Sequence, residues 1–152
     1  AYDTWMAGYP SIPLSDRDPS DDPDADGFNN ALEFALGGIP NNGSGVPKVY
    51  SLIADSSADG DATKELLMTI AVRAGTPAFS GSPSPGATQD GHTYRIQGST
   101  TLGAFTTTAI PVNPVTSGLP TAPSGYEYRT FSLGGSNGIP AKGFLRVGVE
   151  YP

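Results

Sequence analysis

The chain of 152 residues has no cysteine, 20 glycines and 15 prolines, and its Leu, Ile, Val and Phe total only 30, so it can bury a core but a thin one. Charged residues make up 15%, and no apolar run approaches the ~18 residues of a membrane-crossing helix, which excludes a transmembrane helix and a long helical bundle. The net charge of -7 is uneven: residues 1–65 hold 12 acids against 3 bases and residues 66–152 hold 3 against 5, so no basic stripe is offered to nucleic acid and the acidic part points to a hard cation.

In chain order, Tyr2, Trp5, Met6 and Tyr9 fall at i, i+3, i+4, i+7, which predicts a two-turn helix stopped by Pro10 and Pro13 and packed as a hydrophobic plug. Residues 10–21 carry no apolar period and read as loop. The stretch FNNALEFAL aligns Phe28, Leu32 and Leu36, with Ala31 and Ala35, on one face of a helix starting near Asn29, and Gly37-Gly38 supplies its stop. After NNGSG at 41–45 the period turns from helical to alternating, dividing a helical subregion, 1–45, from a β region, 46–152, the two packed as one unit.

Strands are predicted at 48–54, 65–73, 92–97, 105–112, 126–133 and 144–151. DSSADGDAT reads as the hairpin connection between the first two, and 76–91 as a long Pro, Ser and Gly loop pinned by Phe79. Six strands with no crossover helix predict a mainly β protein, an antiparallel β-sandwich of the immunoglobulin or fibronectin kind fronted by the small helical subregion.

One segment carries chemistry. Asp22, Asp24, Asp26, Gly27, Phe28, Asn30 and Glu33 fill the twelve-position calcium loop D-x-[DN]-x-[DN]-G-x5-E. The three aspartates project oxygens from alternate positions, Gly27 permits the sharp turn, and the chain then wraps the ion. Phe28 would offer its carbonyl, Asn30 a side-chain oxygen directly or through water, and Glu33 a bidentate carboxylate. Without a cation these carboxylates would repel one another. Calcium is expected over magnesium, which demands tighter octahedral geometry. Weaker candidates for a further ion are Asp16, Asp18 and Asp21 before the loop, and Asp55, Asp59 and Asp61 after it, the latter with Leu66 where a glutamate should stand.

The segment DPDADGFNNALEFALGG resembles the DPDGDGLSNLLEYALGG-type signature of secreted bacterial surface proteins, itself similar to the single calcium loops of thrombospondin type 3 repeats and dockerins. YDTWMAGY before it, and YRIQGSTTLGAF and GFLRVGVEYP after it, resemble the aromatic helix and β-sandwich of such modules. The resemblance implies a non-catalytic extracellular module, with an EF-hand-like loop and no duplicated loop of the kind that gives a dockerin its cohesin-binding face. Ala1 in first place suits a chain released by signal-peptide cleavage, so an extracellular or cell-surface location is expected.

Signals for catalysis are sparse. His92 is the one histidine, and after residue 66 the only carboxylates are Asp90, Glu127 and Glu150, which read as surface charge, so no catalytic residue is expected. The expected partners are calcium and other copies of the chain or cell-surface components. The alternative is a carbohydrate-binding or adhesion module using Tyr126 and Tyr128, joined by Tyr94 or Tyr151, as a stacking platform for glycan. Asn42-Gly-Ser44 also fits the N-glycosylation pattern.

Overall fold

A computed structural model describes residues 1–56, 62–134 and 141–151. Helix α1 (Tyr2–Met6), a 3-10 turn (Leu14–Asp16) and helix α2 (Asn30–Leu36) precede seven strands: β1 (Val49–Ala54), β2 (Glu65–Arg73), β3 (Gly86–Gln89), β4 (His92–Ser99), β5 (Ala109–Val112), β6 (Tyr126–Leu133) and β7 (Phe144–Glu150). They form two antiparallel sheets, one of four strands in the order β1-β2-β6-β5 and one of three in the order β3-β4-β7. The mainly β, sandwich-like architecture expected from the alternating pattern is therefore present, and no helix among the described residues is long and apolar enough to cross a membrane.

The core between the sheets is made by Met68, Ile70 and Val72 of β2, Phe131 of β6, Ala109 of β5 and Tyr94 and Ile96 of β4, with Ala35 and Leu36 of α2 joining them. Central strand β2 is buried on both sides from Leu67 to Val72. Its second face is covered by the segment after β5, where the Thr69 hydroxyl donates to Val115 O (3.0 Å) and the Tyr128 hydroxyl to Pro120 O (2.9 Å). A second cluster holds Tyr2, Met6, Ile12 and Phe34, with Trp5 and Tyr9 packed against it. The N-terminal plug thus meets the sandwich through Phe34, whose ring also lies under the Arg73 guanidinium at 4.6 Å.

Several boundaries differ from the sequence reading. Helix α1 ends at Met6 rather than running to Tyr9, and a 3-10 turn occupies part of the expected loop at 10–21. Phe28 lies before α2 and is exposed, while Phe34 is fully buried and takes the core role. β5 covers only Ala109–Val112 of the expected 105–112, and β3 falls inside the stretch read as a long loop. β3 exists because β4 supplies a partner from Gly86↔Arg95 to Gln89↔His92, a long-range cause that Pro-rich composition conceals. The expected hairpin connection falls partly, at 57–61, outside the described residues.

Candidate metal centre

The loop that precedes α2 is built from its own acidic side chains. Asp22 accepts from the backbone N–H of Asp26 (3.2 Å) and of Gly27 (2.9 Å), and Asp26 accepts from Phe28 N–H (2.9 Å). Gly27 has φ +92° and Ala25 has φ +59°, so the turn needs left-handed backbone at both positions and only one carries glycine. The turn gathers Asp22, Asp24 and Asp26 so that one ligand oxygen from each lies within 4.8 Å of the others, a triplet that could hold a metal ion.

Helix α2 carries Glu33, which feels the charges of Asp24, Asp26 and Asp22 but is not among the carboxylates that converge within 4.8 Å. Asn29 caps the helix, its side-chain oxygen accepting from Leu32 N–H (3.0 Å), and Gly37 ends it in left-handed conformation at φ +72°. Glu33 therefore sits in the first helical turn, 0% exposed, with no donor in hydrogen-bond geometry to either carboxylate oxygen; the Ile39 N–H, near enough to lower its pKa somewhat, donates to Gly45 O (2.9 Å). Burial, and next the charges of Asp24 and Asp26, push its pKa up to about 8. One oxygen each of Asp24 and Asp26 is also buried without a donor, and no lysine or arginine among the described residues pairs with any of these carboxylates. Such groups are costly to bury unpaired, and what they lack in common is positive charge.

The remaining candidate residues divide. Asn30 is fully buried; its Nδ2 donates to Asp16 O (3.1 Å) and Asp18 O (2.9 Å), tying the preceding segment to the helix, and its Oδ1 has no partner. Asp21 accepts from Asp18 N–H (2.8 Å) and Asp16 from the Ser15 hydroxyl (2.7 Å), so both serve local turns. Of the later candidates, Asp59 and Asp61 lie outside the described residues. Glu127 pairs with Arg129 at 2.8 Å and Glu150 with Arg95 at 3.8 Å. His92 is buried between the rings of Phe34 and Tyr151, and that burial lowers its pKa.

The tyrosines do something the sequence reading did not assign them. The Tyr94 hydroxyl donates to Ala35 O (2.9 Å) and the Tyr126 hydroxyl to Phe34 O (2.7 Å). Two strands thereby satisfy carbonyls in the last turn of α2, where a helix leaves such acceptors free. Tyr94 and Tyr128 are buried, so this set does not present the row of open rings that glycan stacking uses. Gly38, expected only as part of the helix stop, has a further role: a Cβ there would lie 2.8 Å from Cβ and Cγ of Glu33. The Gly-Gly pair is thus both helix stop and clearance for the buried carboxylate, and only the first role is visible from composition.

No protein-family model, curated protein or solved structure matches this chain.

Proposed function

We propose that this protein is a non-catalytic, calcium-binding structural module of an extracellular or cell-surface assembly, in which the ion fastens the N-terminal region to the sandwich. The observation that carries this reading is the unpaired Glu33 carboxylate, fully buried beside Asp24 and Asp26. An all-oxygen, carboxylate-rich donor set on a loop suits calcium. Asp22, Asp24, Asp26 and Glu33 would supply charge, Phe28 its carbonyl, and Asn30 an oxygen directly or through water. On this reading the loop is EF-hand-like, the sandwich is of the immunoglobulin or fibronectin type, and the chain is a relative of the secreted surface modules that its loop resembles.

The role is structural because α2 is a link in a chain of contacts. The loop holds its first turn, the hydroxyls of Tyr94 and Tyr126 hold its last, and Leu36 O accepts from Lys48 N–H (2.8 Å) at the entrance to β1. An ion bound only by the folded state adds roughly 2.7 kcal/mol when free calcium is ~100 times the dissociation constant. Assembly with further copies would use sheet edges, of which β3 is partly covered by Ser80 and β5 by Pro83, while β1 and β7 have no further strand beside them among the described residues.

Calorimetric titration of the metal-depleted chain with calcium and with magnesium tests the reading. One calcium per chain, lost in Asp24→Ala and Glu33→Ala, is expected, with a melting temperature that falls on chelation in the parent only. Absence of calcium binding, or binding untouched by both substitutions, would overturn it.

A further inference from the structure

The four sheet edges are not equivalent. β5 is four residues long and contains Pro111, β3 is four residues long and is flanked by the Ser80↔Gly86 bridge, and β7 carries exposed Arg146 and Glu150. Short length, proline and charge are the usual protections against strand addition. β1, VYSLIA, has six residues and none of these devices.

The side chains of β1 are equally telling. Its register, Val49↔Ile70, Ser51↔Met68 and Ile53↔Leu66, places Val49, Ser51 and Ile53 on the face that β2 turns to the core. Yet Val49 is 40% and Ile53 59% exposed. The facing sheet has only three strands, so β1 overhangs it and leaves inward-type apolar residues uncovered. The backbone agrees. Ala71 N–H donates to Lys48 O (2.9 Å), so along this antiparallel ladder the even-numbered residues bond to β2, and Val49, Ser51 and Ile53 turn their peptide groups away from it; the Val49 N–H donates to Pro47 O (3.1 Å), and the others face an edge that no strand among the described residues covers.

We propose that this edge is the self-association surface, two copies joining β1 to β1 antiparallel about a two-fold axis at Ser51. The proposal rests on the assembly reading above and names its interface. A two-fold axis normal to the sheet sets the residue on it against its own counterpart, so no acid or base should stand there, and β1 carries no acidic or basic side chain at any position. In this register Ser51 faces Ser51 of the second copy, two small hydroxyls able to bond each other. Val49 then faces Ile53 on the overhanging side and Tyr50 faces Leu52 on the other, each pair occurring twice. The outward peptide groups of the two Ser51 residues meet as a hydrogen-bonded pair and each Ile53 N–H meets a Val49 O, while the Val49 N–H keeps its bond to Pro47 O, and the two four-stranded sheets become one of eight. The overhanging Val49 and Ile53 of both copies form one apolar strip beneath it. The occupant is a second copy because the pattern is complementary to itself.

The test uses the complete chain in millimolar calcium, with sedimentation velocity across a concentration series and calcium titration on each sample. The parent is expected to form a dimer or a species built from dimers. Ser51→Lys, which sets two like charges together at the axis, should weaken that association at least tenfold while calcium binding and melting temperature stay unchanged. Because the chain has no cysteine, Ser51→Cys gives a separate readout. Hydrogen-bonded antiparallel neighbours lie ~5.5 Å apart at Cα, within disulfide reach, so mild oxidation should give a covalent dimer that an Ile110→Cys control on β5 does not. If Ser51→Lys fails to fold, the cross-link alone decides. A parent that stays monomeric overturns this interface together with the assembly reading, whereas assembly that persists in Ser51→Lys, with no cross-link in Ser51→Cys, overturns the β1 interface alone. Neither outcome bears on calcium, which is read independently in the titration.

Discussion

Two buried polar clusters in this protein solve opposite problems. In the four-stranded sheet, the Thr69 and Thr130 hydroxyls lie 2.7 Å apart, Thr69 donates to Val115 O and Thr130 accepts from Val115 N–H at 2.9 Å, a network that mixes donors and acceptors and closes on itself. Around Glu33, the unpaired atoms of Asp24, Asp26 and Glu33 are all carboxylate oxygens, which when ionised only accept. The first cluster is complete as protein. The second is short of positive charge, and it is this lack, not burial, which both possess, that supports the proposal of a ligand site there.

The contrast is broken most strongly at Glu33. Chelation of the parent should lower its melting temperature by about 5–10 °C, the equivalent of roughly 2.7 kcal/mol in a domain of this size. Glu33→Gln should invert the pattern, melting below the parent in calcium but at or above it in EDTA at pH 8, because it removes a buried charge that only the ion offsets; paired scanning calorimetry reads both arms. Thr69→Val breaks the other cluster. It strands Val115 O and one capacity of Thr130, and denaturant unfolding should show a loss of roughly 1–3 kcal/mol that is the same with and without calcium.

Acidity sharpens the comparison. The folded pKa of Glu33, about 8, lies above its ordinary value of 4.5, so its contribution to stability is full below about 4.5 and is lost as pH rises through about 8. In EDTA, stability should therefore rise as pH is lowered from 8.5 to 6, and in saturating calcium this dependence should flatten or reverse, since the ion holds the carboxylate ionised; urea melts at stepped pH decide it. The smallest expected effect is at Ala25. Replacing it by glycine should relieve its left-handed backbone, φ +59°, and tighten calcium binding slightly, by less than about 1 kcal/mol, measured by titration.

How much of this was legible depended on distance along the chain. The loop from Asp22 to Glu33 and the end of α2 at Gly37 are set within a dozen residues, and β2 and β6 were bounded correctly because their alternation is local. β3 was hidden because its strand character comes from pairing with β4. Phe34 rather than Phe28 took the core position because the helix begins only at Asn30, after Phe28 has turned outward. The roles of Tyr94 and Tyr126 were invisible for a similar reason, since a strand tyrosine carries no mark of the helix carbonyl it will meet. The overhang of β1 could not be read at all from a strand whose own alternation is ordinary, because it depends on the number of strands in the opposing sheet.

The two tyrosine hydroxyls also set a clock. Their bonds to Ala35 and Phe34 span 59 and 92 residues, so the last turn of α2 gains its anchors only when distant parts of the chain have paired. Contacts of that span carry a loop-closure cost and form slowly. The acidic loop is complete in sequence by Glu33, yet the helix presenting that glutamate is held in place only after β6 has joined β2. If the loop binds calcium as proposed, a chain emerging from synthesis would acquire its firmest grip on the ion only after β6 has paired, and ion uptake would report that β4 and β6 are in place.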